Sequence, residues 1–144
     1  MNDEISDRTQ AFSSGIAAFE AKNFTHAMRL LMPFAQEGNP DAQHRVAIMY
    51  QNGLGTVRND EQAYKWMKAS AEGGCGIAQH GLGFMYLEGE CTAQNGPEAV
   101  NWFKKAAEKG LVGSLTTLAM MYEEGKLVEK NPEEARRLYK LAGF

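Results

Sequence analysis

The sequence predicts an all-α protein, an α-solenoid of four antiparallel helix pairs. Three features predict this fold: key residues recur at a spacing of 36, glycines follow the same spacing, and the apolar residues between them fit one face of a helix. A fixed period of this length is typical of repeat proteins. The clearest recurring pair is an asparagine with an alanine four residues later: Asn23 and Ala27, Asn59 and Ala63, Asn95 and Ala99, and Asn131 and Ala135.

Each asparagine is predicted to begin the second helix of a pair, which we call the B helix. Asparagine is a preferred N-cap residue because its side chain accepts a hydrogen bond from a free backbone N–H. Pro97 and Pro132 follow within the first turn, where proline is tolerated. Helices commonly end at glycine, and the expected ends here are Gly38, Gly74 and Gly110.

The first helix of each pair, the A helix, has an apolar face. Residues spaced by four, one and three positions lie on one side of a helix. In repeats two to four these residues are Ala42, Val46, Ala47 and Tyr50; Ala78, Leu82, Gly83 and Tyr86; and Ser114, Leu118, Ala119 and Tyr122. The small residues at 47, 83 and 119 predict close approach of a neighbouring helix, and Gly53, Gly89 and Gly125 are expected to end these helices.

The first A helix is shifted relative to the other three. Gly15 precedes Ala27 by 12 residues, whereas Ala47 precedes Ala63 by 16, so its A–B turn is four residues shorter. We predict one repeat domain over residues 1–144. Its four repeats are expected at about 6–38, 40–74, 76–110 and 112–144.

Repeats two to four resemble Sel1-like repeats, and the first is closer to a tetratricopeptide. The resemblance rests on an ordered pattern, which in repeat three is AQHGLGFMYLEGECTAQNGPEAVNWFKKAAEKG. It covers about three quarters of the chain and implies an α-solenoid that is wound as a right-handed superhelix and serves as an adaptor. The chain departs from the family pattern in three ways: Cys91 replaces the second glycine of the A–B loop, asparagine replaces the capping aspartate, and Leu138 replaces the last tryptophan.

Composition excludes several classes of function. The chain has 144 residues, 44% hydrophobic and 23% charged, with a net charge of −3. Lysine and arginine are spread along it, which argues against nucleic-acid binding. No apolar run approaches the length of a membrane span. The acidic, polar N-terminus is unlike a signal peptide, so we expect a cytoplasmic location, or a periplasmic one if a leader has been removed.

The residues that carry chemistry form no recognisable catalytic set. Cys75 and Cys91 are predicted to be separated by a helix of roughly 13 residues, about 20 Å long, which excludes a disulfide between them. Some secreted relatives carry a disulfide in each repeat, a pattern that this chain lacks. His44 and His80 occupy equivalent positions, but two histidines make a poor zinc site. We therefore expect no enzyme activity, no cofactor and no metal.

A groove lined by the A helices is the better candidate site. By analogy with tetratricopeptide solenoids, these helices line a concave surface that binds a protein or peptide. The alternative is that the same side chains fill a tightly wound inner core. The predicted binding residues are Phe12, Ile16, Phe19, His44, Ile48, Gln51, His80, Phe84, Leu87, Thr116, Met120 and Glu123. Those of repeat three, together with Cys91, are the expected centre of recognition.

The predicted function is a non-catalytic protein-interaction module or adaptor. One alternative is an immunity protein that neutralises a secreted bacterial toxin, as some small Sel1-like proteins do. A less favoured alternative is a metal- or redox-responsive switch that uses His44, His80 and the two cysteines. At the C-terminus, Leu141 and Phe144 occupy positions that are not large and apolar in earlier repeats. This predicts either self-association through that end or a Phe144 that folds over its own helix.

Overall fold

The computed structural model describes residues 2–144, and within this range the chain is helical, with no strand. The all-α prediction is therefore confirmed. The A helices are α1, α3, α5 and α7, and the B helices are α2, α4, α6 and α8. Their bounds are α1 Asn2–Glu20, α2 Phe24–Gln36, α3 Pro40–Asn52, α4 Asp60–Glu72, α5 Gly76–Glu88, α6 Gly96–Glu108, α7 Val112–Glu124 and α8 Pro132–Leu141.

The chain divides into two compact units, Met1–Cys75 and Gly76–Phe144. In the first unit, α1 packs on α2, α2 on α3, and α3 on α4. In the second unit, α5 packs on α6, α6 on α7, and α7 on α8. Packing of each helix on the next along the chain is the arrangement expected of a helical repeat array. None of the helices over residues 2–144 is long and apolar enough to cross a membrane.

Three of the four predicted asparagine caps form. The Oδ1 atoms of Asn59, Asn95 and Asn131 accept hydrogen bonds from backbone N–H groups at the starts of α4, α6 and α8, at 3.0, 3.1 and 3.1 Å. The prediction is wrong for Asn23, whose side chain makes no capping bond. Its backbone has φ −89° and ψ 73°, whereas the capping asparagines have φ near −150°. The shorter turn before α2 thus orients the Asn23 side chain away from the helix start.

One residue in each A–B loop of repeats two to four has a left-handed backbone conformation. Gly55, Cys91 and Leu127, spaced by 36, have φ of 68°, 66° and 62°. Glycine adopts this conformation freely, whereas other L-residues pay a steric penalty there. The departure at Cys91 therefore leaves the loop conformation unchanged and puts a strained residue in it.

The predicted close approach of the two helices of a pair is confirmed at Gly83. A Cβ atom added there would lie 2.8 Å from Cε1 of Phe103, closer than real side chains come. Phe103, on α6, is fully buried, and so is Leu82 beside Gly83. The A-helix face that carries Val46 and Leu118 is buried in the same way. These contacts fix α5 against α6. The face of α5 that points away from α6 is thereby held in place.

Candidate functional site

The predicted binding residues of the first unit are all half-buried. The Phe12 ring packs edge-on against Phe34, with centroids 5.2 Å apart, and the Phe19 ring packs against Phe24 at 5.5 Å. These rings stabilise the contact between α1 and α2. The Arg45 guanidinium carbon lies 5.7 Å from the Phe19 ring centroid. The remaining four, Ile16, His44, Ile48 and Gln51, are neither fully exposed nor fully buried.

A pocket of about 310 Å³ lies in the first unit but contains only one predicted residue. It is lined by Ile5, Arg8, Thr9, Phe12, Phe34 and Asn39. The Arg8 guanidinium stacks over the Phe34 ring at 5.2 Å and pairs with the Glu37 carboxylate. Because its one cation is already paired within the unit, this pocket has no unmatched charge to select a ligand.

Both groove histidines are neutral near pH 7. The pKa of His44 is lowered to about 4, mainly by burial and in part by the neighbouring Arg45, while Asp41 opposes the shift. Burial also lowers the pKa of His80. The Nδ1 atom of His80 is hydrogen-bonded to the Ser114 hydroxyl at 2.7 Å. Neither histidine therefore provides a positive charge to a partner at neutral pH.

The cysteines and histidines do not assemble into a metal site in the described part of the chain. Cys75 and Cys91 are both half-buried thiols. Over residues 2–144, no group of three or more His, Cys, Asp or Glu side chains is placed to hold a metal ion.

The second unit contains a pocket between α5 and α7, which we call the anchor pocket. Its volume is about 180 Å³. Three of the predicted residues, Phe84, Leu87 and Met120, line it, whereas His80, Thr116 and Glu123 do not. The full lining is Phe84, Leu87 and Glu88 from α5, Thr117, Met120, Met121 and Glu124 from α7, and Lys126 from the following loop.

The apolar part of the anchor pocket has an exposed rim and a buried floor. Phe84 is 36% exposed and Met120 is 50% exposed, whereas Leu87 and Met121 are 6% and 2% exposed. Leu87, predicted among the groove residues, therefore belongs to the floor and is buried. Two exposed apolar side chains, Phe84 and Met120, thus lie on the A helices α5 and α7.

The Phe84 ring is held in position from beneath. It packs edge-on against His80 and Phe103, with centroids 4.9 and 5.1 Å away. Phe103 is itself fixed by its contact with Gly83. A ring held in this way loses little conformational freedom when a ligand binds, which favours affinity.

Two carboxylates flank the anchor pocket. Glu88 and Glu124 are the last residues of α5 and α7, and both are exposed. Among residues 2–144, neither forms an ion pair with a lysine or arginine side chain. Lys126 is the one cation that lines the pocket. The lining thus has two negative charges and one positive charge.

Two predicted groove residues are engaged elsewhere in the second unit. The Thr116 hydroxyl donates a hydrogen bond to the Gly113 carbonyl at 2.9 Å. Glu123 is hydrogen-bonded to the Tyr139 side chain of α8. Both residues lie on the helix that carries Met120, but neither reaches the anchor pocket.

Sequence reasoning missed several residues that form the site. Glu88 and Glu124 are 36 apart and could have been found by extending the repeat comparison to the helix ends. Phe103 could have been found in the same way, because large apolar residues stand at 31, 67, 103 and 139. No sequence signal singles out Thr117 or Lys126. Thr117 lies on α7 and Lys126 in the loop that follows it, and both line the pocket because of how α7 packs.

The fold defines the chain as an all-helical repeat protein, and the second unit contains a partly exposed apolar pocket. A family model described as Sel1 repeat matches residues 40–75, 76–111 and 115–143. The chain belongs to the Sel1 repeat family. The three matched segments correspond to repeats two to four, and α1 and α2 lie outside them. No protein with a curated description matches the chain.

Two solved structures are similar to this one. The Sel1 repeat protein from Oxalobacter formigenes is 35% identical, with a TM-score of 0.83 over 91% of this chain and 54% of that chain. A protective antigen present in uropathogenic Escherichia coli strains, which displays an SLR fold, is 27% identical, with a TM-score of 0.89 over 96% of this chain and 31% of that chain. This chain thus spans about half of the first and a third of the second.

The family defines the broad class of function. The Sel1-repeat fold is generally a scaffold for protein–protein interaction, and proteins built from it are typically non-catalytic modules. The partners of this family are proteins.

Proposed function

We propose that this chain is a non-catalytic interaction module that binds a protein or peptide through its A helices, with the anchor pocket as the principal contact. The observation that supports this is the pairing of Phe84 and Met120 on adjacent A helices over a buried apolar floor. A partner side chain inserted there removes both from water, and each square ångström of buried apolar surface contributes about 25 cal/mol.

Oxidation of Met120 tests whether a partner covers the pocket. Partners are captured from an extract of the source cells, identified by mass spectrometry and purified. The free protein and the complex are then treated with dilute peroxide, which converts exposed methionine to its sulfoxide. In the free protein we expect Met120 to oxidise rapidly, whereas its buried neighbour Met121 reacts slowly. In the complex we expect Met120 to be protected.

Equal oxidation of Met120 in the free and bound protein would contradict the proposal. The half-buried Met28 and Met32 of the first unit serve as internal references, since their rates report any general change of stability on binding.

A second surface is proposed for self-association. Leu141 is 60% exposed and Phe144 is 83% exposed at the end of α8. The Phe144 ring lies 6.0 Å from the Tyr139 ring, and the Phe144 N–H donates to the Tyr139 carbonyl at 3.0 Å. The residue is thus turned back onto its own helix, yet most of its ring stays in water, and contact with a second copy would bury it.

A further inference from the structure

We propose that the anchor pocket recognises a peptide segment in which a lysine or arginine stands one or two positions from one large apolar side chain. This inference rests on the proposed function and names the chemistry of the partner. Its support comes from three properties of the pocket: its volume, the placement of its carboxylates and the immobility of its aromatic ring.

The volume of the pocket sets the size of the occupant. About 180 Å³ is available, and an apolar cavity of about 150 Å³ is large enough for benzene. Sites for cofactors and other small molecules of drug size are larger, at about 300 to 1,000 Å³. The anchor pocket therefore fits one side chain of the size of leucine, methionine or phenylalanine, which would contact Phe84, Met120 and the floor.

The two carboxylates favour a positive charge on the peptide that occupies the pocket. Glu88 and Glu124 end α5 and α7, where the helix dipole is negative and a carboxylate is unfavourable for the isolated helix. Both helix ends and both side chains thus contribute negative potential to the pocket that they line. Because neither carboxylate is paired within the unit, a cation brought by the partner would be attracted by both, and Lys126 offsets only one of the two charges.

The distance between the apolar rim of the pocket and its two carboxylates sets the spacing between the apolar and the basic residue of the peptide. Phe84 and Glu88 are one helical turn apart on α5, and Met120 and Glu124 are one turn apart on α7, about 6 Å in each case. In an extended peptide the same distance is about two residues. The basic residue is therefore expected one or two positions from the apolar anchor.

Four capped hexapeptides test this inference. They carry Leu and Lys, Leu and Gln, Leu and Glu, or Ser and Lys at positions two and four of an otherwise Gly-Ser sequence, and we name them Leu-Lys, Leu-Gln, Leu-Glu and Ser-Lys. Binding is followed by the methyl signals of Met120 and Met121 in methionine-labelled protein. We expect the affinity to decrease in the order Leu-Lys, Leu-Gln, Leu-Glu, with Ser-Lys weaker than Leu-Gln. Each exposed charge pair changes an affinity by about 1.4-fold to fivefold, so two independent carboxylates are expected to give Leu-Lys about a twofold to twenty-fivefold advantage over Leu-Gln.

Charge variants supply the matched control. The double variant Glu88→Gln with Glu124→Gln should bind Leu-Lys and Leu-Gln about equally, while its affinity for Leu-Gln stays that of the wild type. Glu108→Gln with Glu129→Gln changes the net charge by the same amount at exposed positions outside the pocket and should keep the preference for Leu-Lys. Because salt screens exposed charges, added salt should reduce the preference of the wild type for Leu-Lys over Leu-Gln.

The inference is overturned if no peptide shifts the Met120 methyl signal at millimolar concentration, or if Leu-Glu binds as tightly as Leu-Lys. It is also overturned if the preference for Leu-Lys survives in the pocket double variant. These outcomes are distinct from failure of the proposed function. A captured partner that protects Met120 from oxidation, together with peptides that show no basic preference, would support the proposed function and refute this inference.

Discussion

At the scale of single residues, the packing of the second unit depends on the close approach of Gly83 and the Phe103 ring. The Phe103 ring occupies the space that a side chain at residue 83 would need, and the same ring supports Phe84 from below. The equivalent positions in repeat two are occupied by Ala47 and Met67. The residue at 83 thus controls both packing and the placement of the pocket rim.

Substitution of Gly83 by alanine should lower the free energy of unfolding by up to about 2 kcal/mol. Overpacking costs about 1 to 3 kcal/mol, and the better helix propensity of alanine returns about 1 kcal/mol. The measurement is urea unfolding followed by circular dichroism. Gly113→Ala is the control, because a Cβ there meets only His80 at 3.8 Å, and it should be neutral or stabilising.

A second comparison tests the cause of that loss. In a Phe103→Met background, which imitates repeat two, Gly83→Ala should cost less than in the wild type. An equal cost in both backgrounds would show that Phe103 is not the group that resists the added methyl.

His44 should make the stability depend on pH. The unfolded histidine binds a proton near pH 6.5, whereas the folded one does so only near pH 4 because it is buried. The unfolded state therefore binds more protons between these values, and the free energy of unfolding should fall by about 1 to 3 kcal/mol as the pH is lowered from about 6.5 to about 4.

Unfolding curves across this range, for the wild type and His44→Gln, measure the effect. His80 contributes a slope of the same sign, so the difference between the two proteins isolates His44. Parallel profiles would contradict the assignment of a lowered pKa to His44.

At the scale of helices, a residue that recurs in every repeat does not cap the helix in every repeat. Asn95 caps α6 by a hydrogen bond from the Glu98 N–H, whereas Asn23 at the equivalent position does not cap α2. The difference follows from the shorter turn before α2. A recurring residue thus has a recurring role only where the backbone around it also recurs.

The two asparagines make a matched pair of variants. Asn95→Ala should lower the free energy of unfolding by about 1 kcal/mol, the usual value for loss of an N-cap. Asn23→Ala should change it by less than about 0.5 kcal/mol, as for an ordinary surface substitution. Chemical denaturation of both variants decides the point, and a loss of the same size at both positions would contradict the cap assignments.

At the scale of the whole molecule, the sequence predicted the helices and most of their ends correctly, because each depends on local rules of capping, spacing and termination. The burial of Leu87 was not predicted, since its depth depends on how α5 packs rather than on its place in the repeat. The role of Glu88 and Glu124 was not predicted either, because it arises from two helix ends brought together in space. Local signals therefore predict elements, whereas the site needs the packing between them.

Self-association through the end of α8 is a prediction at this scale. We expect sedimentation equilibrium of the wild type to give a mass that rises with concentration. The double variant Leu141→Ser with Phe144→Ser should remain a monomer, because it removes the exposed apolar side chains. A monomeric wild type at the highest concentration would contradict the prediction.

The affinity of a purified partner for a Met120→Ser variant tests the central claim most directly. Met120 is half exposed, so its loss should leave the free energy of unfolding within about 0.5 kcal/mol of the wild type. Calorimetric titration should nevertheless give a weakening of about fivefold to thirtyfold, the range expected for an anchor residue worth about 1 to 2 kcal/mol. Ile77→Ser with Val112→Ser, exposed to a similar degree on the same two helices, should bind as the wild type does. Unchanged affinity for Met120→Ser, or equal losses in both variants, would contradict a binding site at the anchor pocket.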